Sequence, residues 1–220
     1  MVKTAGLLVL IVCILVTLGI VMLASATLAS DGYAYVKSQA VWLVLSVAAG
    51  ILTAQVIDYH LWRRFAPWLA AAAAVALMLV LVEGVGSTVK GSARWFRFYG
   101  MSVQPSECAK FAVVLFLAWW MEREQRHADE FLRGFAIPGA VLGVFLVLII
   151  LEPDFGTTML VACVGAGLLF LGGTRISYLV VSGAAGLAGF AFLVMKNEVR
   201  MRRIVAFLDP EKYGDEEAYQ

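Results

Sequence analysis

Residues 91–110 read GSARWFRFYGMSVQPSECAK and set cations, aromatic rings and a carboxylate between two stretches too apolar for water. The chemistry is densest at Glu107 and Lys110. Three residues apart on a helix, they share a face and can pair. Lys110 also heads into an apolar run, where a cation costs about 2.5–3.5 kcal/mol at mid-membrane and less near the surface, and it faces the positive end of its own helix dipole. A structural ion pair and a polar cavity open to the outer surface both account for this. Gln104-Pro105-Ser106-Glu107 is a well-formed helix start, with proline at the first helical position and Glu at the third able to reach back to the capping amide. Capping leaves Lys110 unexplained. Arg94 and Arg97 sit among Trp95, Phe96, Phe98 and Tyr99. One reading is a segment lying in the headgroup layer, an aromatic belt with snorkelling arginines. The other is guanidinium forks for phosphate oxygens above an apolar floor for a lipid tail or a sugar face. In Glu152-Pro153-Asp154-Phe155-Gly156-Thr157-Thr158, Asp154 either N-caps the next helix or leaves a carboxylate at the cavity mouth.

The elements that must hold these residues are membrane helices. The 220 residues are 62% hydrophobic and 15% charged, with a mean hydropathy of +0.87, a composition that would expose far too much apolar surface in water. Charge-poor runs at 7–28, 40–57, 67–82, 108–121, 135–151, 155–171 and 176–195 each approach the roughly 17–25 residues that cross a bilayer as helix. Uninterrupted runs without period-2 alternation exclude a β-barrel. The predicted fold is therefore all-α, a polytopic transmembrane helix bundle over residues 1–195 with about seven spans, and then a polar tail at 196–220. Ala24-Ser25-Ala26 imitates a signal cleavage site, but the apolar stretch before it outruns a signal core of about 7–15 residues, so the first helix is read as uncleaved. Cys13, Cys108 and Cys163 are scattered inside spans and are read as packing residues. His60 and His127 stand alone in short polar connections, so no metal site is predicted. Gly139 with Gly143, and Ser182 with Gly186, are small-xxx-small pairs that let helices approach.

Lysines and arginines do not settle the orientation: with a cytoplasmic N-terminus, seven fall inside and nine outside. Near the first spans, Arg63 and Arg64 outvote Lys37, which favours the N-terminus in the cytoplasm. The long polar stretches, 83–104 and the tail from 196, then share the outer face with the Glu152-Pro153-Asp154 turn. An excess of outer cations fits an anionic substrate bound there.

GSARW, then QPSECAK opening a helix, then EPDFGTT opening the helix after next, resemble in order and position the SEDS family of bacterial wall synthesis. Ser25-Ala26 ending the first helix, Gln39 and Trp42 opening the second, and Arg203-Ile204 with Phe207-Leu208-Asp209-Pro210 in the tail extend the likeness over essentially the whole chain. The Ser25-Ala26-Thr27 and Gln39-Ala40-Val41-Trp42 features lean toward the FtsW-like division branch over the RodA-like elongation branch. The resemblance implies a multi-pass peptidoglycan glycosyltransferase of the bacterial cytoplasmic membrane. Its implied substrate is lipid II, an undecaprenyl-pyrophosphate-linked disaccharide peptide. Its implied partners are a class B penicillin-binding transpeptidase and other divisome or elongasome membrane proteins, with no nucleic acid. It implies a substrate-binding set of Arg94, Gln104, Ser106, Glu107, Lys110 and Asp154, in which Arg94 and Lys110 offset the charge of a pyrophosphate leaving group. The family's general base is an Asp in a Pro-Glu-x-His-Thr-Asp block after a large outer loop. No such block occurs in residues 1–220, so the resemblance places the catalytic Asp beyond Gln220 and assigns no catalytic residue to this chain. The family also has about ten spans, which makes this chain the N-terminal portion of a longer protein, inactive alone and stopping inside the large extracytoplasmic loop. Cofactor use is left open, a divalent cation included. Two further classes stand beside the polymerase: a lipid II flippase using the same charged cavity with an alternating path between leaflets, and a noncatalytic division scaffold, for which an intramembrane Lys110 is an unneeded cost.

Overall fold

The computed structural model describes residues 2–27, 33–82, 87–89, 92–98 and 101–195. Two compact units divide the chain after Leu61. In the first, α1 (Val2–Thr27) and α2 (Ala34–Val56) pack against each other. Their leucines and valines stay outside: Leu8 is 62% exposed, Leu15 63% and Val44 66%. Apolar surface in that density is stable only against lipid, and helices of 26 and 23 residues are long enough to cross it.

The second unit holds α3 (Tyr59–Val80), whose first turn straddles the division, α4 (Pro105–Arg123), α5 (Ile137–Leu151), α6 (Phe155–Leu171) and α7 (Ile176–Met195). Its centre is α4. Ala109, Ala112, Val113, Phe116 and Leu117 recur at helical spacing and form one buried stripe. That stripe joins Ala70, Ala73 and Leu77 of α3, Leu142, Phe145 and Ile149 of α5, and Val161 and Leu169 of α6 in a single core. A Cβ on Gly165 would stand 2.6 Å from Leu142 Cδ2, so α6 meets α5 where any larger residue must push the Leu142 side chain aside. The entry to α5 is irregular, with a 3-10 turn at Gln125–His127 and a π-helical turn at Phe131–Ala136.

Among the described residues the seven α-helices fall on the seven predicted runs, and the all-α polytopic class stands. Gly6–Thr27, Tyr35–Val56, Tyr59–Val80 and Phe131–Leu151 are long and apolar enough to span a membrane by length and composition, with α6 and α7 as shorter apolar helices. The polar tail expected from Lys196 to Gln220 lies outside the described residues. Four local expectations change. First, α3 starts at Tyr59 instead of 67, because Asp58 Oδ1 accepts the His60 amide at 3.0 Å and caps it, leaving Pro67 inside the helix. Second, the aromatic stretch, read only as a segment at the headgroup layer or a phosphate-binding floor, forms a sheet. β1 (Ser87–Val89), β2 (Ser92–Phe98) and β3 (Met101–Val103) make an antiparallel meander in which Ser87 opposes Trp95 and Arg97 opposes Ser102. Rings and β-branched residues favour such a half-buried pleated surface. Third, the small-residue pairs do not seat helices: Gly143 and Gly186 face open space, and both pairs line an apolar cleft of about 970 Å³ among α5, α6 and α7. Fourth, Cys13, Cys108 and Cys163 lie on the surface, outside the core.

Candidate substrate-binding site

The site begins where α4 does. Pro105 takes the first helical position, and its fixed φ suits the helix while its missing N–H is no loss there. The Glu107 amide donates to Gln104 O at 3.1 Å. The expected reach of the Glu107 carboxylate back to the Gln104 amide does not occur: it turns to Lys110, whose Nζ lies 2.7 Å from Oε2. The predicted pair therefore forms, with the Lys110 side chain 30% exposed and that of Glu107 57%. Ser106, on the inner face, is fully buried, and its Oγ has no hydrogen-bond partner among the described residues.

A second helix start stands beside the first. Asp154 caps α6, its Oδ1 accepting the Thr157 amide at 3.1 Å and its Oδ2 the Thr157 hydroxyl at 2.9 Å. Thr158 Oγ1 donates to Asp154 O at 2.7 Å. Gln104 Nε2 reaches across and donates to Asp154 Oδ2 at 3.4 Å, so the two helix starts are joined. Of the predicted site residues, Gln104, Ser106, Glu107, Lys110 and Asp154 are thus gathered at neighbouring ends of α4 and α6. Arg94 lies in β2, which packs against α4, while its side chain falls outside the described residues. Trp95 and Phe96 beside it are half-buried. Asp154 is also half-buried. Glu152, which the sequence reading kept out of the substrate-binding set, is fully buried at the end of α5; a carboxylate immediately before proline, at the end of an apolar run, is the signal that could have singled it out.

The other end of α4 carries a different network. Arg63 pairs with Glu122 at 3.1 Å. Glu124 lies 3.7 Å from each of Arg123, His127 and Arg133. Asp129, 3.2 Å from Arg175, holds that guanidinium above its ordinary pKa through their hydrogen bond, with Tyr178 adding to the effect. Thr174 Oγ1 donates to Gly134 O at 2.6 Å and Trp120 Nε1 to Arg133 O at 2.9 Å, tying together the connections on either side of α5 and α6. These bonds are structural: exposed pairs of this kind contribute little stability individually, and the buried bond from Thr174 satisfies a backbone oxygen.

Lipid-facing helices with a charged pair and two neighbouring helix starts at one end define an integral membrane protein with a polar site near one surface. A family model described as cell cycle protein, FtsW/RodA/SpoVE, matches residues 5–220. The chain belongs to that family, whose members are integral proteins of the bacterial inner membrane. A probable peptidoglycan glycosyltransferase FtsW from Geobacter sp. (strain M18) is 36% identical over 203 residues, covering 90% of this chain and 55% of that protein. One from Trichlorobacter lovleyi is 35% identical over 211 residues, covering 93% and 55%. The crystal structure of the rod shape determining protein RodA of Thermus thermophilus superposes with a TM-score of 0.69 at 29% identity, over 85% of this chain and 58% of that one. A chain from a study of the structural coordination of polymerization and crosslinking by a peptidoglycan synthase complex gives 0.70 at 28%, over 92% and 58%. The chain spans about half the length of the curated relatives it matches.

Proposed function

We propose that the whole protein is a peptidoglycan glycosyltransferase that polymerises lipid II, working beside a class B penicillin-binding transpeptidase. The observation that carries this reading is the joined start of α4 and α6, where Lys110 and Glu107 pair next to the Gln104–Asp154 bridge. In glycosyl transfer a sugar hydroxyl forms the new bond, the bond to pyrophosphate breaks, and negative charge grows on the departing phosphate. A cation fixed beforehand beside that oxygen lowers the barrier. An ammonium has three donors, so Glu107 can orient Lys110 with one and leave the others for phosphate. Arg94 on β2 supplies a second, fork-shaped cation, and Ser106 and Asp154 complete the substrate-binding cluster. The general base, in this reading, is the family Asp beyond Gln220, so the catalytic residue itself is not among residues 1–220.

In the same reading the N-terminus is cytoplasmic, residues 1–195 form the transmembrane region, and 196–220, outside the described residues, begin a large extracytoplasmic loop. One structural relative comes from a complex that couples polymerisation to crosslinking, which supports the transpeptidase partner. The test supplies lipid II and the transpeptidase to the purified full-length protein and to residues 1–220, and resolves products as glycan ladders on a gel. Ladders are expected from the full-length protein only. No ladder from the full-length protein would refute the proposed activity, and equal ladders from both would move the base from beyond Gln220 onto this chain.

A further inference from the structure

Short polar side chains lead at helix N-caps because they reach the amides two or three residues on. Gln104 occupies that position in α4 and makes no such bond. Its amide is used elsewhere, on a residue fifty positions along the chain, where Nε2 donates to Asp154 Oδ2 at 3.4 Å. Chemistry sets the direction of that amide, since turning its carbonyl toward the carboxylate would bring two acceptors face to face. Asp154 is meanwhile anchored to α6 by the amide and hydroxyl of Thr157. A chain of contacts therefore runs from α6 through Thr157, Asp154 and Gln104 to the residue before Pro105. Asparagine, the better capper, is one methylene shorter than the side chain that makes this crossing.

We propose that Gln104 is a positioning residue: acting through Asp154, it fixes the start of α4 against the start of α6 and so sets where Glu107 and Lys110 present their charges. The proposal rests on the glycosyltransferase reading for its activity measurements and on the observed bridge for the rest. α4 and α6 also share the core stripe further along; that packing holds the two helices together, and the bridge adds a directional contact at their starts, next to Glu107 and Lys110.

Four forms of the full-length protein test it: wild type, Gln104→Glu, Asp154→Asn and the double variant. Gln104→Glu sets carboxylate against carboxylate. Asp154→Asn keeps an oxygen for the Thr157 amide, as asparagine caps well, and brings a donor. In the double variant donor and acceptor have exchanged places, which makes a double-mutant cycle. Gln104→Glu is expected to lower kcat on lipid II by about 10-fold with KM nearly unchanged, the signature of misplaced catalytic charge. In the Asp154→Asn background the further change Gln104→Glu is expected to cost less than about threefold in kcat, and melting temperatures to show the same non-additive pattern. Gln104→Glu costing as much in the Asp154→Asn background as in wild type, in both measurements, overturns the bridge. Raised KM with normal kcat also overturns the proposal, since Gln104 would then bind substrate directly. If the wild type makes no glycan, the activity reading falls by itself, and the melting-temperature cycle alone decides whether the bridge exists.

Discussion

Lys110 shows how one residue can be cheap in stability and expensive in function. Its pair with Glu107 is 57% exposed on the carboxylate side, and such pairs contribute about 0–1 kcal/mol. Lys110→Met should therefore leave membrane abundance and melting temperature close to wild type in the full-length protein. Glycan synthesis should fall by about 10²-fold or more, as when a preorganised charge-stabilising group is removed. Retained synthesis would make the pair structural and remove it from the site. Asp58 supports the opposite case, a residue with a local and wholly structural task. The His60 amide, and then the His60 ring, hold its carboxyl below the ordinary 3.8. A depressed folded pKa means stability that is present above the unfolded value and lost as pH falls through the folded one. The cap on α3 is therefore complete at neutral pH and opens only below about pH 3.8. Amide exchange in the first turn of α3 should be faster in Asp58→Ala than in wild type at pH 7, and unchanged protection would count against the cap.

Three glycines separate contact from conformation at the level of helices. A Cβ at Gly134 would lie on the backbone of Ala128, which cannot move aside; one at Gly165 would meet the Leu142 side chain at 2.6 Å; one at Gly167 would meet nothing within 4 Å. Overpacking costs about 1–3 kcal/mol, whereas alanine in an open helical position gains about 0.8–1.0 kcal/mol over glycine. Melting temperatures of the alanine variants should rank Gly134 lowest, then Gly165, with Gly167 at or above wild type; Gly165→Ala as stable as Gly167→Ala would show that α5 and α6 do not meet as described. Such close approaches were not legible in the sequence, where Gly139-x-x-x-Gly143 carried the stronger pattern yet opens onto a cleft. Spacing shows which residues share a face, but not which face finds a neighbour. The limits of α6 and α7 were legible because a polar turn bounds each run sharply. The start of α3 was not, since Arg63, Arg64 and Pro67 interrupt its apolarity while the Asp58 cap holds the helix. The meander at 87–103 was hidden for a related reason: its rings suit a membrane interface and a strand equally. At the site, Glu107 with Lys110 could be read from three-residue spacing, while the crossing from Gln104 to Asp154 needed tertiary structure.

For the whole molecule, the two ends of α4 differ in kind: paired starts of α4 and α6 at one, a network of arginines with Glu122, Glu124 and Asp129 at the other. The proposed orientation puts the first outside and the second in the cytoplasm. A cysteine replacing Ser87 should react with an impermeant maleimide in spheroplasts, and one replacing Glu130, which is exposed, should react only after lysis. The reverse pattern would invert the topology and remove the outer-face site. Ala128 would be a poor reporter despite its polar connection, because it is buried against Gly134.

The wide turn at Phe131–Ala136 gives the chain a reserve of length. A π-helical turn carries more residues than the 3.6 of an α-turn, so one residue can be deleted there by tightening the turn, without rotating α5 after it. Leu132, 61% exposed, is such a residue. An ordinary helix losing one residue would swing every later side chain by about 100° and turn Leu142, Phe145 and Ile149 out of the core. In the wide turn the loss of Leu132 can instead be taken up locally while those three keep their places, so this deletion should cost far less melting temperature than removing a residue from the middle of α5.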